Sequence, residues 1–504
     1  MSDRSTPAKP WLGCIVYHLL PYAFADADRN GIGDLRGISS RVPYLRTLGI
    51  DAVRFGPIFP SARTDDGYDV VDPRDVDLRL GTLGDFDDLV GRLHGAGLRA
   101  ILTLVPDRTS QWHPWFREAV AAGPGSGARG RYRFRDGRGA RGEHPPDSER
   151  SAEGDPVWAP VGDGQWFRHR GSAEHPELDW DDDDVRADFS RTLRFWSDRG
   201  ADGFCVEADE SFWARRDLHD ITRCWRRELD AGVAPGTVIG AIRAQSGPRT
   251  PVPPPEGCAQ LVACDLAAMP FSADTFRRAI GEHLALAAAS DATPSWSLSH
   301  DAVERHPTRY AADDDAQGLR RARAATLLML ALPGSACLFQ GEELGLHEVT
   351  DVGNDERQDP WFFRGRESIP GRDGHRVPLP WIPEGPSFGF GGPTDLPPPP
   401  WFADVSVRCQ EGDPGSTLAL YRRALALRRA LQHTPELAWI DTGHPELIGI
   451  DRLGGWTAVA NFSTRAIELP RQMRGRLVLS SATRPLRSDA SLIRGETTVW
   501  LHNG

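Results

Sequence analysis

Short apolar runs alternate with amphipathic stretches along most of the chain. Cys14–Leu20, Ala52–Phe55, Ala100–Val105, Gly203–Val206, Thr237–Gly240, Leu261–Ala263, Ser295–Leu298 and Ala336–Phe339 have almost no polar face. Uniformly apolar runs of this length fit strands of a parallel sheet buried on both sides. Between them, Leu83–Ala96, Val185–Arg199 and Gly318–Leu332 place apolar residues at helical spacing. Eight strand–helix alternations predict a (β/α)8 barrel. The rhythm breaks between Arg108 and Asp179, a stretch rich in Gly, Arg, Asp and Pro. So long an interruption after the third strand is expected to carry function or to form a subdomain of its own. After a predicted helix over Thr417–His433, short runs at Leu447–Asp451, Trp456–Asn461, Leu477–Ser480 and Thr497–Leu501 predict a terminal antiparallel β-domain.

Composition narrows the functional classes. The 504 residues are 39% hydrophobic and 26% charged, which fits a folded soluble protein and not a disordered one. No apolar stretch is long enough to span a bilayer, and the first ten residues lack a signal-peptide core, so a cytoplasmic location is expected. A net charge of −12 argues against nucleic-acid or anionic-membrane partners. The seven cysteines are scattered without a CxxC pair, as expected of reduced thiols. Lys9 is the only lysine, so no internal lysine is available for Schiff-base chemistry.

In a barrel of this type, active residues sit at the C-terminal ends of the strands. Those ends offer His18, Arg54, Thr103, Asp107, Arg108, Cys205, Glu207, Ala241, His300 and Asp301. Glu207, His300 and Asp301 form the strongest group, two carboxylates and an imidazole expected at one mouth.

Several long segments carry a resemblance. VYHLLPYAFADADRNGIGDLRGISSRVPYLRTLGIDAV, DGYDVVDPRDVDLRLGTLGDFDDLV, LPGSACLFQGEELGL and ERQDPWFFRGRESIPGRDGHRVPLPW are similar to segments of glycoside hydrolase family 13, the α-amylase family. The likeness is to its α-glucosidase and oligo-1,6-glucosidase branch and spans roughly residues 11 to 435. It implies a barrel of residues 1–107 and 179–435, an inserted domain of residues 108–178 and a C-terminal β-domain of residues 436–504. The family's reaction is retaining glycoside hydrolysis or transfer by two carboxylates roughly 5 to 5.5 Å apart.

The residues that carry this reaction are changed. Where the family's fourth strand reads Gly-Phe-Arg-x-Asp, this chain has Gly203-Phe204-Cys205-Val206-Glu207. The nucleophile position is Glu207 and its arginine partner is Cys205. The fifth strand, normally ending Gly-Glu at the acid/base, reads Gly240-Ala241. The third strand carries Thr103 and Arg108 where the family has an aspartate and a histidine. In the seventh-strand motif only His300 and Asp301 persist. Leu20 replaces a tyrosine, and Arg54 adds a cation near the second strand's end. The nearest downstream carboxylate that could replace the acid/base is Glu256, in a proline-rich segment. Loss of a general acid/base typically costs ~10²–10⁴ in rate, and a misplaced reacting group costs ~10² more. Ordinary glycosidase activity is expected to be nearly absent.

Other family features are retained. Asp26, Asp28, Asn30, the Ile32 carbonyl and Asp34 keep oxygen donors at the spacing of the family's metal loop, implying structural Ca²⁺ or Mg²⁺; a solvated Asx-rich turn explains the same residues. No organic cofactor is implied. Tyr68 and Asp69 match the family's sugar-stacking tyrosine and hydroxyl-binding aspartate, with Arg357 as the partner of Asp69; packing is the alternative for Tyr68. Three functions remain open. The pocket is repurposed for a small polar ligand, with Arg54, Arg108, Cys205 and Ala241 reshaping it and Glu207, Asp301 and His300 available for other acid/base chemistry. Alternatively the chain is a pseudoenzyme, a scaffold or partner of an active paralogue. The third possibility is a residual α-glucosidase or transglycosidase.

Overall fold

The computed structural model describes residues 13–63, 67–151, 154–208, 210–231, 238–243, 260–289, 292–312, 314–363, 372–431, 436–470, 473–483 and 491–502. Its central element is a (β/α)8 barrel whose strands, β1 Ile15–Leu19, β2 Ala52–Phe55, β3 Arg99–Leu104, β4 Gly203–Ala208, β5 Val238–Arg243, β6 Gln260–Ala263, β7 Thr293–Trp296 and β8 Ser335–Phe339, follow one another in chain order around a closed sheet. Every residue of β1, β2 and β8 is buried, the burial expected where helices cover a parallel sheet.

The chain divides into two compact units, one of residues 1–54, 92–99 and 259–504, the other of 55–91 and 100–258. In the first, β1 pairs with β8, β8 with β7 and β7 with β6, all parallel. His18 is in register with Phe339, and Val16 with Cys337. A five-stranded antiparallel sheet follows, built on Leu447–Asp451, Trp456–Asn461 and Thr497–His502, with Ala438–Ile440 and Arg476–Ser480 at its edges. It is fixed to the helix Asp315–Ala331 by two hydrogen bonds to that helix's backbone. Thr498 Oγ1 donates to the Ala324 carbonyl at 2.7 Å, and Trp500 Nε1 to the Leu327 carbonyl at 3.0 Å. Arg428, 2% exposed, donates to the carbonyls of Leu330, Leu332 and Gly334 and satisfies backbone acceptors at that helix's end.

In the second unit, β3, β4 and β5 form a parallel ladder that sets Thr103 beside Cys205, Cys205 beside Gly240, and Val206 beside Ala241. The interruption after β3 folds into a helix, Pro114–Ala122, and a three-stranded antiparallel sheet of Phe134–Asp136, Gln165–Arg168 and Trp158–Pro160. Its core is Phe116, Ala119, Tyr132 and Phe167, with Phe116 and Phe167 edge to face at 4.9 Å. Among the described residues no helix is long and apolar enough to cross a membrane.

Candidate active site

The first unit gathers His18, Arg54, His300, Asp301 and Cys337. His18 and Arg54 are buried, at 0% and 4% exposure, whereas the side chains of His300 and Asp301 retain 14% and 17%. The His18 ring lies 5.4 Å from that of Phe339. His300 Nδ1 accepts the Ala302 N–H at 3.2 Å and sits 3.9 Å from Asp301 Oδ1. Burial lowers the pKa of His300 to about 4, against the attraction of Asp301 and with the repulsion of Arg54 and His375. Burial likewise holds His18 well below its ordinary value, reinforced by Arg54 and opposed by Asp301. Both imidazoles are therefore neutral at pH 7. Burial raises the Cys337 thiol to about 11 even though Arg54 hydrogen-bonds it, so it is no ready nucleophile. This group can hydrogen-bond hydroxyls through two neutral imidazoles and carries one guanidinium and one carboxylate. Arg357, in the same unit, sits 3.9 Å from Asp373 with its guanidinium over Phe362 at 4.4 Å.

The second unit holds the rest. Thr103, on β3, and Cys205, on β4, are buried, and Glu207, the penultimate residue of β4, is half-buried. Ala241 lies within β5 and supplies no ionisable group. Glu256 lies outside the described residues. Asp69 is fully buried and Tyr68 is 7% exposed. Arg108 is not an isolated cation, because its Nη1 lies 3.2 Å from the buried Asp107 carboxylate. Glu177, bridged through the backbone to Arg108, is buried and is shared by three arginines, Arg133 at 3.2 Å, Arg170 at 3.0 Å and Arg168. The third-strand motif marked Arg108 as an added cation, and Asp107 offsets its charge.

In the metal loop, Asp26, Asp28 and Asp34 each present an oxygen, all within 4.8 Å of one another. Asp26 accepts backbone N–H groups of Arg29, Gly31 and Gly392, and Asp34 caps the helix Leu35–Ser40 through the Gly37 N–H. Asn30 Oδ1 accepts the Ile32 N–H. The crowding raises the pKa of Asp28, through burial first and then through its carboxylate neighbours. Three converging carboxylates under mutual repulsion fit a hard cation such as Ca²⁺ or Mg²⁺.

Sequence reading passed over Glu342 and His375. Glu342 is buried, its Oε1 lies 3.3 Å from His306 Nδ1, and burial raises its pKa to about 8. The paired acids of FQGEELGL were visible, but nothing in the sequence marks that burial raises the pKa of both.

A barrel with a helix-and-sheet insertion after β3 and an antiparallel terminal sheet defines the architecture of the α-amylase class. The family described as the α-amylase catalytic domain matches residues 18–223 and 258–435, and the chain belongs to that family. A probable α-glucosidase of Rhizobium meliloti is 30% identical over 479 residues, spanning 83% of this chain and 82% of its own. An oligo-1,6-glucosidase of Parageobacillus thermoglucosidasius is 26% identical over 495 residues, covering 83% of each chain. Among solved structures, the α-glucosyl transfer enzyme XgtA superposes with a TM-score of 0.85 at 26% identity, over 98% of this chain and 99% of that one. The chain is thus an α-glucosidase-like member of the family.

Proposed function

We propose that this α-glucosidase-like barrel binds a small polar ligand without cleaving α-glucosides. The observation that carries the reading is Ala241. It stands in β5 beside Val206, one register step from Cys205 and Gly240, and the resemblance assigns the family's acid/base to this position. An alanine cannot protonate a leaving oxygen, and losing that step typically costs ~10²–10⁴ in rate. Glu207 moves the nucleophilic carboxylate by one methylene, and Cys205 removes a guanidinium from its side, so electrostatic support falls further. Losses within one catalytic unit do not multiply fully, yet together they suppress ordinary turnover. The neutral imidazoles of His18 and His300, with Asp301, suit hydroxyl groups of a ligand, and Glu207 is kept for acid/base work of another kind. A pseudoenzyme scaffold is the competing reading, favoured by the number of replaced positions. Incubation with maltose, isomaltose and an aryl α-glucoside tests the proposal: no glucose release is expected. Robust hydrolysis that disappears in Glu207→Gln overturns it.

We also propose that Asp26, Asp28 and Asp34, with Asn30 and the Ile32 carbonyl, hold a structural Ca²⁺ or Mg²⁺ ion. The ion would relieve the repulsion among the three carboxylates and take no part in chemistry. Millimolar Ca²⁺ is expected to raise the melting temperature of chelator-treated protein, and Asp28→Asn is expected to remove most of that rise. A melting temperature indifferent to both chelator and Ca²⁺ contradicts the proposal.

A further inference from the structure

His18 is a buried imidazole whose polar atoms the fold leaves open. It lies on β1 at 0% exposure, and among the described residues neither ring nitrogen has a hydrogen-bond partner. His300 Nε2 is buried and open in the same way. A buried polar atom without a partner destabilises the fold, and nearly all such atoms in native proteins are satisfied by protein, water or ligand. An imidazole open at both nitrogens therefore marks a position where a bound group belongs. His375, a third imidazole, is different, because its Nδ1 faces the Glu348 carboxylate at 3.4 Å.

The neighbours of His18 define the chemistry of that group. Val16 is in register with Cys337 and His18 with Phe339. Side chains two residues apart share a strand face, so the Cys337 thiol, Phe339 and His18 stand on one side of the ladder. The buried Arg54 guanidinium hydrogen-bonds that thiol. After burial itself, Arg54 is the strongest influence on both His18 and Cys337, ahead of Asp301. The inner end of the group is therefore electropositive. The charged and titratable groups facing His18 are Arg54, Asp301 and His300, and His300 is faced in addition by His375 and Arg309. At the outer end, the His300 and Asp301 side chains keep 14% and 17% exposure and connect the group to solvent.

An uncharged polyol makes no use of a buried guanidinium. A carboxylate accepts from guanidinium and imidazole alike, in short charge-assisted hydrogen bonds. Its charge also favours protonation of the imidazole beside it. Resting on the ligand-binding reading above, we propose that the ligand is a hydroxylated carboxylate, with its carboxylate held by His18 and Arg54 and its hydroxyls by His300 and Asp301, and that His18 takes up one proton from solvent as it binds.

The test is a calorimetric titration of the full chain with D-gluconate, with D-glucitol as an uncharged probe of equal length, in buffers of different ionisation enthalpy so that protons are counted. Saturable one-to-one binding of gluconate, uptake of about one proton and no binding of glucitol are expected. Because one proton enters with the ligand, Kd is expected to rise about ten-fold per pH unit above neutrality. His18→Gln keeps a donor and an acceptor but cannot be protonated in this range. It is expected to abolish the proton uptake and flatten the pH dependence. His300→Gln, at a partly exposed position, is expected to weaken binding while leaving the proton count unchanged, and serves where the His18 variant does not fold. The proposal is overturned by absence of saturable gluconate binding, by equal binding of glucitol, by a proton count of zero, or by a count that survives His18→Gln. Glucose release from maltose overturns the underlying reading instead, whereas a chain that releases none and ignores gluconate overturns this inference alone.

Discussion

Glu342 and His300 respond to pH in opposite directions. Burial lifts the Glu342 pKa from 4.5 to about 8. Between those values the folded chain keeps a proton that the unfolded chain has released, so this share of stability is whole below 4.5 and is lost as pH rises through about 8. His300 falls from 6.5 to about 4, so its share is whole above 6.5 and is lost as pH falls through about 4. His18 and His306, both lowered well below 6.5 by burial, act in the same sense as His300. Stability is therefore expected to be greatest in mildly acidic solution and to decline on both sides. Urea midpoints measured across that range check this, and Glu342→Gln is expected to flatten the alkaline decline. Parallel decline of variant and wild type contradicts it. None of this was legible in the sequence, because it depends on which side chains meet in space. At Cys205, Glu207 and Ala241 the sequence offered only the short runs Gly203–Glu207 and Gly240–Ala241, and the family match stops at residue 223 and resumes at 258, with Ala241 in the gap.

At the scale of elements, the helix Asp315–Ala331 depends on Arg428. Arg428→Met removes the donor that the Gly334 carbonyl accepts, and a buried unsatisfied acceptor costs about 1–3 kcal/mol. A loss of about 1–3 kcal/mol in urea denaturation is expected, and a loss near zero contradicts the assignment. In the second unit, a cavity of about 50 Å³ lies among Leu104, Trp180, Val185 and Phe189. At ~24 cal/mol per Å³ it corresponds to roughly 1 kcal/mol, so Val185→Leu is expected to raise stability by up to that amount, and a fall in melting temperature shows that the space cannot accept the methylene. The barrel strands were readable because burial on both faces leaves an unbroken apolar run; β2 begins and ends where the pattern placed it. Phe134–Asp136 was not readable, since two of its three residues are exposed and charged. The edge strand Ala438–Ile440 and the two-residue strands Ile467–Glu468 and Leu492–Ile493 are too short to show alternation.

At the scale of the whole molecule, the chain keeps the family's architecture, and the proposed function rests on departures from the family at the positions that do its chemistry. Fold is maintained by many distributed contacts, whereas cleavage depends on a few carboxylates and their partners, so the second is lost far more easily than the first. If Ala241, Glu207 and Cys205 are what separates this protein from a glycosidase, restoring them restores some activity. The most direct measurement compares turnover of an aryl α-glucoside by the wild type and by the combined variant Cys205→Arg, Glu207→Asp, Ala241→Glu. The account predicts no turnover by the wild type and a gain of about 10² or more over that background in the variant. Ready turnover by the wild type, abolished by Glu207→Gln, contradicts it.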